Sequence, residues 1–195
     1  MQWIGTTRNY TLCKPLDSNE ILREGVNKQV KWVSCLLKIQ RMAFARVREA
    51  QAADRHEVAK MRALLWPEAS VQQHLLELEQ FFSHGMNGTL PVVIFVSCEE
   101  EGTLSGFLEA GLRSHADGCN PIHPVGFVEG WFVHESFRNR GIGKLLMRSA
   151  EDWARTRGCI EMASDTWIND EGSVHAHESL GFEIVDRCVH FRKTL

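Results

Sequence analysis

A strand, a glycine-containing turn and a helix follow one another at residues 125–157, and this succession constrains the fold more than any other part of the chain. Residues 125–134 have the composition of a long strand. Residues 141–157 place apolar side chains on one face of a helix. With 195 residues and 44% hydrophobic content, the chain is long enough for one well-buried core, and a single α/β or α+β domain is expected.

The remaining elements after residue 42 are predicted from periodicity and from turn residues. Strands are expected at 43–48, 91–98, 103–112, 160–163 and 182–193, and the acidic turn at 99–102 predicts a hairpin. Helices are expected from residue 54 to Pro67, from residue 71 to Gly85, and at 171–180. Asp54 and Ser70 each begin a capping-box pattern.

Charge and composition narrow the classes of function. Residues 1–42 hold seven Lys or Arg and three Asp or Glu and are predicted to form an extension of unknown role, with a helix near 27–40, so residues 43–195 carry a net charge of −7. An acidic body argues against a nucleic-acid partner and favours a cationic one. The longest apolar runs are too short to span a bilayer. Six cysteines without CxxC pairing favour a reducing, cytoplasmic location.

The turn at 138–143 predicts a binding site for phosphate groups. Gly141 and Gly143 allow the backbone to approach a ligand closely, and the free amides and dipole of the helix start favour a pyrophosphate. Arg138, Arg140 and Lys144 add positive charge. The spacing matches neither a nucleotide-hydrolysis loop nor a dinucleotide fold. The alternative is a glycine-containing helix cap with surface arginines.

The same turn has the form [Q/R]xxGx[G/A] and resembles the coenzyme A loop of the GNAT superfamily of N-acetyltransferases. The element order after residue 43 is similar as well. The resemblance implies the GNAT fold, a mixed and mostly antiparallel central sheet flanked by helices and splayed near an acetyl-CoA site, with acetyl-CoA as co-substrate and no metal. It implies cofactor contacts from Trp131, Phe132, Val133, Arg138, Asn139, Arg140, Gly141, Ile142, Gly143, Lys144 and Asn169.

A second match lies downstream. Many GNAT enzymes have an Asn eight residues before a Tyr that precedes Gly-Phe by four residues, and here Asn169, His177 and Gly181 occupy those places. By resemblance, position 177 faces the thioester sulfur. A histidine has a reference pKa of about 6.5 and is able to protonate the leaving thiolate near neutral pH. The alternative is that His177 packs beside neighbouring apolar side chains.

Four further segments, at 64–67, 127–131, 161–166 and 177–182, resemble the aminoglycoside 6′-N-acetyltransferases, and this resemblance covers residues 44–195. It implies an aminoglycoside acceptor, a homodimer, and acceptor contacts from Trp66, His74 and Asp186. Trp66 and His74 are each open to a role in the core instead, and an aromatic residue such as Trp66 is more often found there. Relatives carry an aromatic residue near the position of His115 and Ala116, so acceptor preference is expected to differ.

Two carboxylates agree with a cationic acceptor. Strand alternation places Glu129 on the same face as Phe127, Trp131 and Val133, where it either pairs with an arginine or receives an amine. Asp165 ends the next strand, so the two carboxylates are expected to converge and to line an acidic site.

The predicted mechanism is direct attack of the acceptor amine on the thioester within a ternary complex. Glu129 or Asp165 accepts the ammonium proton, directly or through water. Backbone N–H groups near residues 131–133 polarise the thioester carbonyl. Two rivals remain open: a GNAT enzyme for another amine, such as a polyamine or a protein N-terminus, and a catalytically silent acyl-CoA-binding module.

Overall fold

The computed structural model describes residues 45–84, 86–87, 90–100 and 102–194. The predicted extension at 1–42, residues 43 and 44 of the first predicted strand, and Gly85 lie outside these ranges. The described strands are β1 (Arg46–Glu49), β2 (Met86–Asn87), β3 (Leu90–Cys98), β4 (Leu104–Arg113), β5 (Val125–Val133) and β6 (Met162–Ser164). The described helices are α1 (Arg55–Leu65), α2 (Val71–His84), α3 (Ile142–Arg155) and α4 (Glu171–Glu178), with short 3₁₀ turns at Ala52–Asp54 and Glu135–Phe137.

The central sheet is mixed and mostly antiparallel, as predicted. Its strand order is β1-β3-β4-β5-β6, and the short β2 pairs with β3 beside this path. All the pairs are antiparallel except β5 with β6, which run parallel. The predicted hairpin joins β3 to β4 through the acidic turn, where Glu99 donates its N–H to the carbonyl oxygen of Thr103 at 2.9 Å.

Helices cover both faces of the sheet. Alternate residues of β3 point to opposite sides, so Val93 and Phe95 face α3 while Ile94 and Val96 face α1 and α2. The first core is completed by α3, which buries six side chains, and the second by apolar residues of α1 and α2. Burial on both faces explains why β3 reads as a continuous apolar run. The α3 residues are Ile142, Leu146, Met147, Ala150, Trp153 and Ala154.

A β-bulge in β5 overturns the predicted facing of Glu129. Opposite β4, Val128 pairs with Ala110 and Gly130 pairs with Glu109, so Glu129 is the extra residue. The bulge resets the alternation, and Trp131 packs with Val128 on the α3 side. Val133 lies on the α3 side as well. The prediction that Glu129 shares a face with Trp131 and Val133 is therefore wrong.

The two predicted helix caps have different outcomes. Ser70 and Gln73 form the expected reciprocal box, with Ser70 N–H donating to Gln73 Oε1 at 2.7 Å and Gln73 N–H donating to Ser70 Oγ at 3.3 Å. Asp54 precedes α1 but does not cap it with its side chain. Its carboxylate instead accepts the Gln51 N–H at 2.7 Å and two bonds from Arg48. An arginine from β1 thus competes successfully for this carboxylate.

The predicted strand at 182–193 is wrong. Residues 182–194 have no strand assignment, and four of their large apolar side chains are exposed. A strand requires ladder hydrogen bonds to a neighbour, and β-branched composition alone does not supply that neighbour. The exposed side chains are Ile184, Val185, Val189 and Phe191.

No helix among the described residues is both long and apolar enough to cross a membrane.

Candidate active site

A cleft lies where β5 and β6 separate. The parallel pairing runs from Gly126 opposite Met162 to Val128 opposite Ser164 and ends there, while β5 continues to Val133. Residues of both strands line a cleft of about 1310 Å³. Such a size accommodates a drug-sized ligand. The separation lies beside residues 131–133, whose backbone N–H groups the predicted mechanism uses.

The turn between β5 and α3 has two residues with left-handed backbone. The φ angles of Asn139 and Gly141 are 61° and 81°, and Gly141 is the N-cap of α3, which begins at Ile142. The first N–H groups of a helix have no intrahelical acceptor. Gly141 has no side chain with which to cap them, so they are available to an anion, and the helix dipole adds positive potential.

The two arginines of this turn are held by its own backbone. Arg138 donates from Nε to the carbonyl oxygen of Val133 at 3.0 Å, and Arg140 donates from Nη2 to the carbonyl oxygen of Ser136 at 2.7 Å. The Arg140 guanidinium also lies 5.0 Å from the ring of Phe137. Two positive charges are thus held on the turn that leads into α3, and the turn fits a cofactor that carries phosphate groups.

The indole of Trp131 fills the space beside the start of α3. A Cβ atom on Gly143 would lie 2.7 Å from Cζ2 of Trp131, so the packing of the indole requires glycine at 143. The indole Nε1 is buried and has no hydrogen-bond partner among the described residues. An unpaired buried donor costs about 1–3 kcal/mol. This N–H is thus a hydrogen-bond donor whose capacity is not used by the described residues.

Glu129 is paired with an arginine at the end of β4. Arg113 donates from Nη2 to Glu129 Oε2 at 2.8 Å and to Oε1 at 3.1 Å, and from Nε to Oε1 at 3.3 Å. The Arg113 guanidinium carbon lies 3.2 Å from the ring centroid of Phe127. The pairing with an arginine, one of the two explanations offered by the sequence, is present, and the carboxylate also lines the cleft.

Trp66 reaches the backbone of β5 next to Glu129. A Cβ atom on Gly130 would lie 2.5 Å from Cη2 of Trp66, so this glycine lets the indole close on the strand. The ring also contacts Phe107 edge to face, with centroids 6.3 Å apart. Trp66 thus packs on the core and lines the cleft at the same time.

A buried ion pair supports Trp66 from behind. Arg62 donates from Nε to Glu109 Oε2 at 2.9 Å and from Nη2 to Oε1, and its guanidinium lies 5.9 Å from the Trp66 ring. Burial raises the pKa of Glu109, and the opposing charge of Arg62 offsets part of that effect. His74, predicted to contact the acceptor, is only 3% exposed and places Nε2 3.4 Å from the carbonyl oxygen of Trp66. It therefore lies behind the indole and outside the cleft.

His177 is held by two serines and two aromatic rings. Its Nδ1 lies 2.8 Å from the carbonyl oxygen of Ser173, which accepts only, so Nδ1 carries the proton. Nε2 then accepts from the Ser164 hydroxyl at 3.0 Å when the ring is neutral. The ring lies edge to face with Trp131 at 5.5 Å and with Phe182 at 5.3 Å. Donation from Nε2 thus requires the ring to be protonated and the Ser164 hydroxyl to turn.

The cleft unites some of the predicted residues and leaves others apart. His74, Asn169 and the turn at 138–143 are not among the lining residues, and Asn169 lies exposed before α4. Phe132 packs on the opposite core, towards α1 and α2. The predicted residues that line the cleft are Trp66, Glu129, Trp131, Asp165, His177 and Asp186.

Three lining residues had not been singled out from the sequence. Arg113 pairs with Glu129, Ser164 bonds to His177, and Trp167 is 80% exposed beside Asp165. The partners of Arg113 and Ser164 depend on strand register, which periodicity does not report. Trp167 could have been singled out from the sequence, because a large aromatic residue is unusual in a solvent-exposed turn next to a predicted site carboxylate. Within the described ranges, no group of three or more His, Cys, Asp or Glu side chains is arranged to hold a metal ion.

Known proteins resemble this chain in both sequence and structure. Residues 58–182 match the model of the acetyltransferase (GNAT) family. An aminoglycoside N(6′)-acetyltransferase type 1 from Klebsiella aerogenes is 37% identical over 149 residues, which are 76% of this chain and 96% of the relative. A protein of the same name from Stenotrophomonas maltophilia is 35% identical, with 76% and 93% covered.

The fold comparison gives the same result. The structure of AAC(6′)-Iy in complex with the bisubstrate analogue CoA-S-monomethyl-acetylneamine superposes with a TM-score of 0.69 at 32% identity, covering 77% of this chain and 99% of that one. AAC(6′)-Ih from Acinetobacter baumannii superposes with a TM-score of 0.69 at 27% identity, covering 77% and 99%. The splayed sheet, the turn before α3 and these matches agree, and the chain belongs to the GNAT family of acetyltransferases.

Proposed function

We propose that the protein transfers the acetyl group of acetyl-CoA to the 6′-amine of aminoglycosides and thereby inactivates these antibiotics. The curated relatives are named for this reaction, and this chain spans nearly their whole length. AAC(6′)-Iy was solved with a ligand that joins CoA to an acetylated aminoglycoside. The fold similarity extends over the same part of this chain.

The observation that carries the proposal is the charge of the cleft. Among the described residues that line it, nine are Asp or Glu and two are Arg. Both arginines already face carboxylates, Arg113 in the pair with Glu129 and Arg155 in bonds to Glu151 and Asp152. An acidic cleft attracts a polycationic sugar and repels an anionic acceptor. The nine are Glu68, Asp117, Glu129, Glu151, Glu161, Asp165, Asp170, Glu183 and Asp186.

The cofactor side of the site is proposed at the start of α3. The amides after Gly141, with Arg138, Arg140 and Lys144 nearby, hold the pyrophosphate, and Asn169 contacts the cofactor as in similar enzymes. The strand segment at 131–133 and the buried Trp131 N–H lie along the opening between β5 and β6. Acetyl-CoA supplies the activated acetyl group.

The acceptor side is proposed around Glu129, Asp165, Trp66 and Asp186. Trp66 offers an aromatic face to a sugar ring, and His74 fixes the Trp66 backbone from behind. Glu129 or Asp165 accepts the proton that the acceptor ammonium loses before attack. Backbone N–H groups of residues 131–133 polarise the carbonyl that is attacked. Holding both reactants in this geometry supplies most of the rate enhancement.

His177 is proposed as the group that protonates the leaving thiolate. Its ring lies against Trp131, whose indole borders the start of α3. Contact with Ser164 Oγ orients Nε2 toward β5 and β6. In a protonated ring, Nε2–H points at Ser164 Oγ, so the proton reaches the thiolate either through the Ser164 hydroxyl or after the Ser164 side chain turns away.

One assay separates the proposal from its rivals. Thiol release from acetyl-CoA is measured with kanamycin and with a kanamycin analogue that bears a hydroxyl at 6′. The proposal requires turnover with kanamycin and a loss of at least about 100-fold with the analogue, since the nucleophile is absent. Equal rates overturn the 6′ assignment, and turnover only with polyamines or peptide N-termini overturns the substrate class.

We also propose a homodimer that covers the exposed C-terminal segment with a second copy of this chain. Val189 and Phe191 are 75% and 94% exposed, and an apolar row of this kind is costly in water. Sedimentation equilibrium at micromolar concentration tests the stoichiometry. The double variant V189D/F191D is expected to sediment as a monomer, and a monomeric wild type contradicts the dimer.

A cytoplasmic location is proposed as well. The four cysteines in the described part of the chain are free thiols, which suits a reducing compartment. The test is fractionation of cells that express the protein. Activity recovered only outside the cytoplasmic fraction contradicts this location.

A further inference from the structure

Arg113 lines the cleft, and the proposed mechanism does not use it. It stands at the end of β4 and directs its guanidinium across the sheet to Glu129, with three donor-acceptor contacts of 2.8, 3.1 and 3.3 Å. The guanidinium also lies on the ring of Phe127 at 3.2 Å. An arginine stacked on one side and bidentate at its edge has little freedom to rotate.

The backbone is shaped to permit this contact. Glu129 is the extra residue of the β-bulge, and a Cβ atom on Gly111 would lie 3.7 Å from Glu129 Oε1 and 3.2 Å from Cγ1 of Val92. The carboxylate of Glu129 thus lies over Gly111 of β4, at a distance that is ordinary van der Waals contact, and only Val92 would be crowded by the added Cβ. A β-bulge often changes the direction of a side chain next to an active site. Here that side chain is Glu129, which Arg113 contacts.

The contacts use the two carboxylate oxygens unequally. Oε1 accepts two hydrogen bonds from Arg113, and Oε2 accepts one. A carboxylate offers about two acceptor positions on each oxygen, so one position on Oε2 remains for a further donor. A substrate ammonium is therefore able to bind Glu129 without displacing the guanidinium.

We propose that Arg113 is a positioning residue that fixes Glu129 so that Oε2 receives an ammonium group of the acceptor. The proposal rests on the proposed aminoglycoside acetylation and adds the determinant that orients the acceptor. Arg113 touches neither reacting atom and acts through the carboxylate.

Simple electrostatics predicts the opposite sign for loss of Arg113. Removing a cation from a cleft that binds polycations strengthens the attraction for the acceptor and lowers its KM. Loss of a positioning residue instead frees the Glu129 side chain, so productive binding declines although the cleft becomes more acidic. The direction of the change in kcat/KM for the acceptor thus separates the two roles.

The experiment compares three variants in the full chain with kanamycin as acceptor. R113M removes the charge and the hydrogen bonds while keeping an unbranched side chain, and R113K keeps the charge but loses the bidentate geometry. R155M is the matched control, since Arg155 borders the same cleft and pairs with Glu151 and Asp152 away from Glu129. The KM for acetyl-CoA reports whether the cofactor site of each variant is intact, and circular dichroism reports whether the variant is folded.

The expected result is a fall in kcat/KM for kanamycin of about tenfold or more in R113M, corresponding to about 1.4 kcal/mol of lost transition-state stabilisation. R113K is expected between R113M and wild type, and R155M at or above wild type. In the E129Q background, R113M is expected to add little, because the carboxylate that it positions is gone.

Unchanged or increased kcat/KM in R113M, with the wild type active on kanamycin, overturns the positioning role and leaves the proposed function intact. An equal loss in R155M also overturns it, since a loss common to both arginines is not specific to the contact with Glu129. A wild type that releases thiol with no aminoglycoside refutes the proposed function, and the positioning role falls with it.

Discussion

Gly130 and Trp66 touch so closely that the strand tolerates no side chain at position 130. A Cβ atom there would lie 2.5 Å from Cη2 and 2.6 Å from Cζ2 of the indole, closer than van der Waals contact allows. Gly130 directly follows the bulged Glu129. Two neighbouring residues of β5 thus shape the proposed acceptor site. Glu129 supplies its carboxylate, and Gly130 leaves space for the indole of Trp66.

G130A is expected to displace Trp66 and weaken acceptor binding. Overpacking of this kind costs about 1–3 kcal/mol of unfolding free energy, and the KM for kanamycin is expected to rise while the KM for acetyl-CoA changes little. Urea denaturation and steady-state kinetics measure the two effects. The control is G172A in α4, where a Cβ meets only Asp170 Oδ1 at 3.5 Å and helix propensity favours alanine. Equal kinetics in G130A and wild type contradict a binding role for Trp66.

E129A is expected to lower kcat/KM for kanamycin by about 100-fold or more, because it removes a proton acceptor and an anionic contact together. Binding of acetyl-CoA is expected to remain nearly intact, since the proposed pyrophosphate site lies at the start of α3, beyond the end of β5. Isothermal titration with CoA and thiol-release kinetics test both statements. Wild-type acetylation of kanamycin by E129A shows that Glu129 has no part in the reaction.

H177F separates a chemical role of His177 from a packing role. Phenylalanine keeps a ring between Trp131 and Phe182 and removes both nitrogens. If the ring donates a proton, kcat is expected to fall by about tenfold or more, with both KM values near those of wild type. S164A is the companion variant, because it removes the Nε2 contact and keeps the imidazole. Wild-type kcat in H177F assigns the residue to packing.

Periodicity and turn residues predicted most of the scaffold because those signals are local. The helical spacing of α1 to α3, the capping box at Ser70 and the hairpin between β3 and β4 each depend on residues within a few positions of one another. Long-range features were not predicted, because they depend on residues that are far apart in the sequence. The bulge at Glu129 inserts one residue relative to a partner strand, and it inverts the facing of Trp131 that strict alternation predicts.

The parts of the site that the sequence missed are pairings across elements. Arg113 meets Glu129, and Ser164 meets His177, only after β4, β5, β6 and α4 are placed together. The predicted strand at 182–193 failed similarly, because its apolar side chains carry strand propensity but no described strand pairs with them. Propensity reports which conformation suits a segment, whereas the partner strand decides whether a ladder forms.

Removing one partner of the buried pair between Arg62 and Glu109 is expected to lower the free energy of unfolding strongly. Replacing both partners with apolar residues is expected to change it little. Their side chains are 7% and 15% exposed, so R62M leaves the Glu109 carboxylate buried without its partner. Loss of one partner of a buried pair costs about 3–5 kcal/mol, whereas replacing both with apolar groups is often nearly neutral. Urea denaturation is expected to show a large loss for R62M and recovery of most of it in R62M/E109L. No recovery in the double variant means that Arg62 contributes by packing on Trp66 and α2.

D54N is expected to lower stability near neutral pH and to matter less in acid. Arg48 donates to the Asp54 carboxylate at 2.7 and 2.9 Å, and this contact holds the pKa of Asp54 below its ordinary value. A lowered native pKa means that the unfolded chain takes up the proton first, so the stabilisation is fully present above about pH 3.9 and is lost as the pH falls through the native pKa. Hydrogen bonds to charged groups contribute about 1.5–3 kcal/mol, and the partial exposure of Arg48 places the expected loss at the low end. Unfolding free energies of D54N and wild type, measured from pH 7 down to pH 3, are expected to differ by a constant amount above pH 5 and to converge below pH 4. A difference that is independent of pH over this whole range contradicts a stabilising role for the charge of Asp54, because the protonated carboxyl group then contributes as much as the carboxylate.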